Sequence, residues 1–363
     1  MREPPSNLAT ETLRGALLEH YAVTASEITF LPIGYDASAW VYRVQTADDQ
    51  SYFLKVRLSV TNEASLIVPR FLHDRGVAQV VAPLPSVIGR LWVGAAGYAL
   101  ILYPFVAGMT GMDHRMSARQ WHDYGATLRQ IHDVAVTPEL ARQMRRETFV
   151  PEWGAMVRRL DAHIAAESFD KPAPQALATF WQAHREEIHA VLERAEALGR
   201  RLIQPTPSFR LCHADIHTGN VIVGVNGQIW IVDWDEAILA PVERDLMFVV
   251  GGISEKLVSP TEEAHFLEGY GAAAIDPIAL AYYRSTWAVG DIGSYGEQVF
   301  FRPDFGPVTL QAGVDGFARL FEPGEIVSLA FGSKTEATYG GERGDAEQEG
   351  VSQRRDERVT ERI

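Results

Sequence analysis

The sequence predicts an α+β fold of two lobes: a small antiparallel-sheet lobe with one helix, then a larger, mainly helical lobe. Three observations predict it. Strand-like runs with period-2 alternation crowd the first hundred residues around a single inserted helical stretch. From Ser117 onward the apolar period shifts to that of helices. A strand-rich island at residues 208–234 is the one interruption of the helical half. The expected division is 1–103 for the first lobe, 104–111 for an apolar hinge, 112–334 for the second lobe and 335–363 for a tail.

Each element has its own local reason. In residues 10–21, Leu13, Leu17 and Tyr21 recur at helical spacing. Ile28–Ile33, Ala39–Thr46 and Tyr52–Arg57 read as strands, the last two joined by the polar turn Ala47-Asp48-Asp49-Gln50. Asn62 is placed to cap a helix over 63–75, which Gly76 ends. Two more strands are expected near 86–93 and 97–103. Ser117-Ala-Arg-Gln120 matches a capping box, and Trp121, Tyr124, Leu128 and Ile131 then trace one apolar face. A long helix is expected between about 173 and 200, with more between 261 and 332. In the island, Ser208–Cys212 and Asn220–Val223 are short strands, Asn226-Gly227 is a hairpin turn and Gln228–Trp234 is the returning strand. The tail holds 8 acidic and 5 basic residues and almost no large apolar ones, so disorder is expected there. Deleting 335–363 is therefore expected to leave the melting temperature and turnover unchanged; a fall of several degrees would show that the segment docks.

Composition narrows the function class. The chain of 363 residues carries 33 basic and 47 acidic residues, a net charge of −14. That balance argues against nucleic acid and against an anionic membrane surface as partners, and favours a cationic small molecule. Cys212 is the only cysteine, so neither an intrachain disulfide nor a cysteine-rich zinc site can form. The apolar stretch 80–108 carries one charge, Arg90, but is broken by Pro83, Pro85, Gly89, Gly94, Gly97 and Pro104, which suits short strands better than a membrane span. No basic segment followed by an apolar one opens the first thirty residues, and a cytoplasmic location is expected.

The chemistry concentrates in His213-Ala-Asp215-Ile-His217-Thr-Gly219-Asn220, followed by Asp233-Trp234-Asp235. Asp215 and Asn220 face each other across a tight loop after a strand, and Asp233 ends the apolar strand returning from the hairpin. The carboxylate of Asp233 and the amide carbonyl of Asn220 are hard oxygen ligands, suited to Mg²⁺ bound to substrate phosphates. Asp215 remains to orient a hydroxyl nucleophile and accept its proton. This H-x-D-x₄-N…D pattern resembles the catalytic and metal loops of the protein-kinase-like superfamily. HADIHTGN with IVDWDE resembles its aminoglycoside phosphotransferase branch. DWDEAILAPVERDLMFVVGG is most similar to the spectinomycin phosphotransferase type within that branch, and the likeness extends over about residues 10–332.

The first lobe adds an independent signal. Only four lysines occur against 29 arginines, and one of them, Lys55, sits in a predicted strand. A compact ammonium on a flexible stem can reach the α- and β-phosphates of a nucleotide. The resemblance implies that Lys55 pairs with a glutamate of the next helix, and Glu63 lies at that helix's start. Otherwise Lys55 is a surface strand lysine and Glu63 a helix N-terminal acid. No G-x-G-x-x-G is present. Gly34-Tyr-Asp36-Ala-Ser38 can offer amides and the Ser38 hydroxyl to phosphate, or be a plain β-turn. Leu100-Ile-Leu-Tyr103-Pro-Phe105 resembles the hinge whose backbone pairs with adenine, and equally suits a buried strand running into a turn.

Other candidates have simpler readings. His213 reads as a structural hydrogen-bonder of the loop, and His217 as either packing or catalytic. Cys212 reads as a buried thiol. His184 and His189 are spaced by five, not the four a zinc helix needs. Asp235 either supports the metal site from behind or bonds local backbone. Arg244-Asp245 reads as structural; the resemblance gives that aspartate the task of tying down the catalytic loop. Trp287, Asp291 and Tyr295 share one face of a predicted helix. A carboxylate between two aromatic rings suits a cationic, sugar-like ligand, and equally a core helix with one paired aspartate.

Taken together, the residues and the resemblance imply a kinase that uses ATP and Mg²⁺. The acceptor implied is a hydroxyl of an aminocyclitol or aminoglycoside antibiotic, with resistance as the consequence. The alternatives are a kinase for another hydroxylated small molecule (choline, homoserine, methylthioribose or a macrolide) and a nucleotide-binding pseudokinase. The joint presence of Lys55, Asp215, Asn220 and Asp233 counts against the last.

Overall fold

The computed structural model describes residues 4–5, 7–33, 39–302 and 305–332; Ser38 and the expected tail lie outside the described residues. The chain forms two compact units, each drawn from separate stretches. The first comprises Met1–Arg146, Arg210–Leu239 and His265–Gly271, the second Glu147–Phe209, Ala240–Ala264 and Ala272–Ile363. The hairpin of residues 210–239 thus groups with the N-terminal sheet, where the sequence reading divides the chain contiguously.

In the first unit, α1 (Thr10–Tyr21) leads into β1 (Ala25–Leu31), β2 (Ala39–Thr46) and β3 (Ser51–Arg57). Then follow α2 (Ala64–Asp74), β4 (Val93–Ala95) and β5 (Tyr98–Pro104). The five strands form one sheet in the order β1-β2-β3-β5-β4, every neighbouring pair antiparallel. Leu13 and Leu17 of α1 join Val44, Leu54, Val56 and Leu100 in one buried cluster. Because side chains alternate along a strand, Leu54 and Val56 on the buried face leave Phe53, Lys55 and Arg57 on the other. The register Phe53↔Tyr103 and Lys55↔Ile101 sets Tyr103 beside them on that face. Asn62 caps α2 as expected, its Oδ1 accepting the Ala64 amide at 3.1 Å. The strand expected over 86–93 is confined to Val93 at its end. Instead Gly89, at φ +79°, donates its amide to the Ser86 carbonyl at 2.8 Å, and the Arg90 amide bonds Ser86 Oγ at 3.0 Å. A serine hydroxyl and a left-handed glycine close a turn there, and Val87 and Ile88 project from it into solvent.

The rest of this unit carries β6 (Gly108–Thr110), α3 (Ala118–Asp133), α4 (Pro138–Gln143) and β7 (Arg145–Arg146). It continues with β8 (Arg210–Cys212), β9 (Val221–Gly224), β10 (Ile229–Ile231) and β11 (Ile238–Ala240), whose last residue belongs to the second unit. The capping box at Ser117 and Gln120 forms in both directions, and Trp121, Tyr124, Leu128 and Ile131 are buried. Gly227, at φ +78°, makes the hairpin turn between β9 and β10. Mutual bonds fix β10 to the segment after α2: Val81 N–H to the Ile231 carbonyl at 3.0 Å, and Ile231 N–H to the Gln79 carbonyl at 2.8 Å.

The second unit is helical: α5 (Gly154–Ala166), α6 (Pro172–Ala183), α7 (Arg185–Leu202) and α8 (Glu243–Leu246) come first. Next are α9 (Pro260–Tyr270), whose last residues belong to the first unit, α10 (Pro277–Phe301), α11 (Pro307–Arg319) and α12 (Ile326–Phe331). The single helix expected over 173–200 is two helices broken at His184. Its ring stacks on Phe180 at 4.2 Å and meets Phe321 at 4.8 Å, while Arg185 grips Asp161 with two bonds of 2.8 and 2.7 Å. The distant partners Phe321 and Asp161 hold the chain at this break. Asp276 caps α10 through its bond from the Ile278 amide at 2.9 Å. Gly293 and Gly296 let α5 come close, since a Cβ at those positions would meet Trp153 at 2.7 Å and Leu160 at 2.5 Å. Among the described residues no helix is long and apolar enough to cross a membrane.

Candidate active site

The residues of the His213–Asn220 loop, Asp233 and the strand lysine come together within the first unit. His213 is fully buried and organises the loop. It donates from Nε2 to the Val232 carbonyl at 2.9 Å and accepts the Asp215 amide at Nδ1 at 3.3 Å. Its ring lies 4.6 Å from that of Trp234, so it joins the two halves of the motif. This is the structural role expected for it. Ala214 takes φ +70° to make the bend.

Asn220 donates from Nδ2 to the Asp215 carbonyl at 2.7 Å and to Asp215 Oδ2 at 3.0 Å. Its amide nitrogen is thus committed to Asp215, and Oδ1 is the atom left to offer a cation. The Val232 amide bonds the Asn220 carbonyl at 3.1 Å, which brings Asp233, the next residue, to the same end of the hairpin. Asp233 stands at φ +61° with its side chain 48% exposed. One carboxylate and one amide oxygen at the open end of a rigid hairpin fit Mg²⁺, which takes few protein ligands beside phosphate oxygens and water.

His217 belongs to the same constellation. Its Nδ1 accepts the Gly219 amide at 3.0 Å, and Nε2 stands 3.5 Å from Asp215 Oδ1. Burial, with His213 nearby and only partly offset by Asp233, pulls its pKa below the ordinary value. A neutral ring protonated at Nε2 suits that position, facing the carboxylate without charging it.

Lys55 projects from β3 toward two carboxylates, 3.3 Å from Asp233 Oδ1 and 3.0 Å from Asp235 Oδ2. Burial works to lower its pKa, but Asp233 and Asp235 outweigh it and raise the value, so the ammonium is secure. The Tyr103 hydroxyl is pushed upward too, by burial first and then by Asp235 and Asp233; it stays protonated as a donor.

Other expected residues fall differently. Glu63 is not brought to Lys55: its Oε1 accepts the indole N–H of Trp92 at 3.2 Å, while Lys55 holds Asp233 and Asp235. The helical rotation of α2 explains this. Asn62 and Ser65 line a cavity of about 420 Å³ with Arg57 and Asp235, whereas Glu63 and Ile67 line another of about 340 Å³ with Trp92. Phe105 donates its amide to the Ser51 carbonyl at 3.2 Å, and its ring lies 4.7 Å from the Arg43 guanidinium. That amide is spent on the sheet and is not offered to a base.

Trp287, Asp291 and Tyr295 lie on α10 of the second unit. Trp287 packs edge-on to Phe248 at 4.8 Å with the Arg244 guanidinium at 5.6 Å, and the Tyr295 ring covers Gly316. Both aromatics therefore serve the helical core, and Asp291 is half-buried between them in sequence.

Arg57 was missed from the sequence. Its Nη1 lies 3.0 Å from Asp235 Oδ2. The signal was available: Lys55 and Arg57 are two apart on a strand, and so are Asp233 and Asp235 in the returning segment.

The Asp215 carboxylate, the Asp233 carboxylate beside the Asn220 amide oxygen, and the secured Lys55 ammonium are groups of the kind that phosphoryl transfer uses. Comparison with known proteins points the same way. Residues 27–286 match the model of a family described as "Phosphotransferase enzyme family". A spectinomycin phosphotransferase, APH(9)-Ia, solved with ADP and spectinomycin, is 32% identical with a TM-score of 0.82, over 91% of this chain and 99% of that one. An AMP-bound complex of APH(9)-Ia gives 30% identity and a TM-score of 0.79, over 90% and 99%. An amicoumacin kinase, at 18% identity and a TM-score of 0.58 over 89% and 98%, shares the fold.

Proposed function

Because the chain belongs to the phosphotransferase enzyme family, we propose that it moves the γ-phosphoryl group of ATP to a hydroxyl of an aminocyclitol antibiotic of the spectinomycin kind. The observation that carries this reading is the nearly full-length likeness to a phosphotransferase holding ADP and spectinomycin. The intact set Lys55, Asp215, Asn220 and Asp233 in one unit supports it.

In this reading Asp215 orients the acceptor hydroxyl and takes its proton as the new O–P bond forms. The bond from the γ-phosphorus to the bridging oxygen breaks, and ADP leaves with that electron pair. Lys55 steadies the α- and β-phosphates. Asn220 Oδ1 and Asp233 would hold Mg²⁺, which neutralises phosphate charge when bound. The segment of Tyr103 would line the purine, without the Phe105 amide, which the Ser51 carbonyl holds. Because the transition state is loose, catalysis here is mainly positioning and charge neutralisation. Phosphorylation of the antibiotic would remove its activity and confer resistance.

Mass spectrometry of spectinomycin after incubation with enzyme, ATP and Mg²⁺ tests the reading; a gain of one phosphoryl group is expected. No gain on spectinomycin, with phosphorylation of choline, homoserine or a macrolide instead, would overturn the acceptor assignment.

For a cationic acceptor we assign Asp291 as the counter-charge. Asp291→Asn should raise KM for the acceptor and leave KM for ATP nearly unchanged. A hydrogen bond to a charged group is worth about 1.5–3 kcal/mol, so roughly a 10- to 150-fold rise is expected in steady-state kinetics. An equal rise in both constants would indicate a folding defect, and no change would return α10 to a purely structural role.

A further inference from the structure

Two cations of β3 converge on one carboxylate oxygen. Lys55 Nζ and Arg57 Nη1 each lie 3.0 Å from Asp235 Oδ2. Asp233 stands farther from the ammonium, at 3.3 Å, and is the more exposed of the two carboxylates, 48% against 30%. Lys55 and Arg57 themselves are only 14% and 19% exposed. The pairing follows from the strand period. Residues 55 and 57 share one face of the sheet, and the turn after β10 presents 233 and 235 toward that face.

We infer that Asp235 is the positioning residue for Lys55, the task that the sequence reading gives to Glu63. Arg57 anchors Asp235 from the strand side, and Asp235 holds the ammonium on the site. Asp233 is thereby left able to turn its carboxylate to a nucleotide-bound cation without releasing Lys55. Glu63 is engaged elsewhere: it bonds the Trp92 indole N–H and lines a cavity with Trp92, while Arg57 and Asp235 line another. Among the described residues, Lys55 and Arg57 are paired with Asp235, and Lys55 also with Asp233. Loss of Asp235 would leave Asp233 as the carboxylate within reach of Lys55 among the described contacts, and Asp233 would be drawn into that pairing instead of remaining open.

The consequence for nucleotide binding rests on the phosphotransfer reading; the positioning itself does not. The test therefore has two readouts. With four lysines in the chain, acetylation by acetic anhydride can be followed residue by residue by peptide mass spectrometry on the nucleotide-free protein. Lys256, paired with Glu322 and Glu325 at 3.0 and 2.8 Å, serves as the internal reference. In Asp235→Asn, Lys55 should be labelled roughly 10-fold faster than in the parent, the change expected for losing one hydrogen bond between charged groups. Asp235→Glu should restore slow labelling, which separates the role from a folding defect. In steady-state kinetics Asp235→Asn should raise KM for ATP more than it lowers kcat. Unchanged Lys55 labelling in Asp235→Asn, or a larger increase in Glu63→Gln than in Asp235→Asn, would overturn the inference. Faster labelling in a protein that phosphorylates no acceptor would sustain the positioning role and count against the phosphotransfer reading alone.

Discussion

Asp215→Ala is expected to lower kcat by about 10²–10⁴-fold, the range for losing a positioned general base, with nucleotide affinity little changed. The structure gives reasons for both halves of that expectation. The Asp215 carboxylate is one-quarter exposed, with Oδ2 held by Asn220 at 3.0 Å and Oδ1 facing His217 at 3.5 Å. It is a fixed acceptor at the end of an ordered loop. The loop does not depend on the carboxylate for its shape. Asn220 also bonds the Asp215 carbonyl at 2.7 Å, and the Asp215 amide bonds His213, and neither contact is lost in the alanine variant. A kcat defect with normal ADP binding by calorimetry would identify the base. Activity within a few-fold of the parent would remove Asp215 from that role.

Asp233→Asn is expected to reduce Mg²⁺-dependent turnover by at least about 10²–10³-fold, as for loss of one group that stabilises transition-state charge. Asparagine is the informative replacement. Asp233 occupies the left-handed region at φ +61°, which asparagine accepts with little strain, so the fold is retained while the charge is lost. Two functions fail together: the oxygen pair with Asn220 loses its anionic member, and Lys55 loses one of its two carboxylates. Titration of ADP with and without Mg²⁺ should show that the cation no longer strengthens binding. Unaltered Mg²⁺ dependence and normal kinetics would contradict the assignment of Asp233 as a cation ligand.

Much of this protein was legible from local chemistry. Alternation in Tyr52–Arg57 placed Lys55 on a strand, and the structure puts it on the face opposite Leu54 and Val56. The capping box at Ser117 and Gln120 and the Asn226-Gly227 turn are short-range devices, and both formed as the residues predicted. Between His213 and Asn220 the bonds of the Asp215 and Gly219 amides and the Asn220 side chain span two to five residues and follow from the local spacing, whereas His213 and Asn220 are also tied to Val232 across the hairpin.

Two failures of the sequence reading, the helix through 173–200 and the partner of Lys55, were decided by partners distant in the chain; a third was decided by a local turn. The helix expected to run through 173–200 breaks at His184 because Phe321 and Asp161 compete for its neighbourhood. The strand expected over 86–93 yields to a serine-closed turn, where apolar composition alone gave no sign of exposure. The partner of Lys55 is the clearest case. Glu63 is eight residues away, and Asp235 is 180 residues away. Proximity along the chain favours the first. Which carboxylate arrives is set by the rotation of α2, the register of β3 and the anchoring of β10 to residues 79–81, and these are properties of packed elements. By itself, then, the sequence determined the chemical groups and the short loops that carry them. Tertiary structure decided which charges meet, because an ion pair forms wherever packing brings opposite charges within about 4 Å, whatever their separation in the chain.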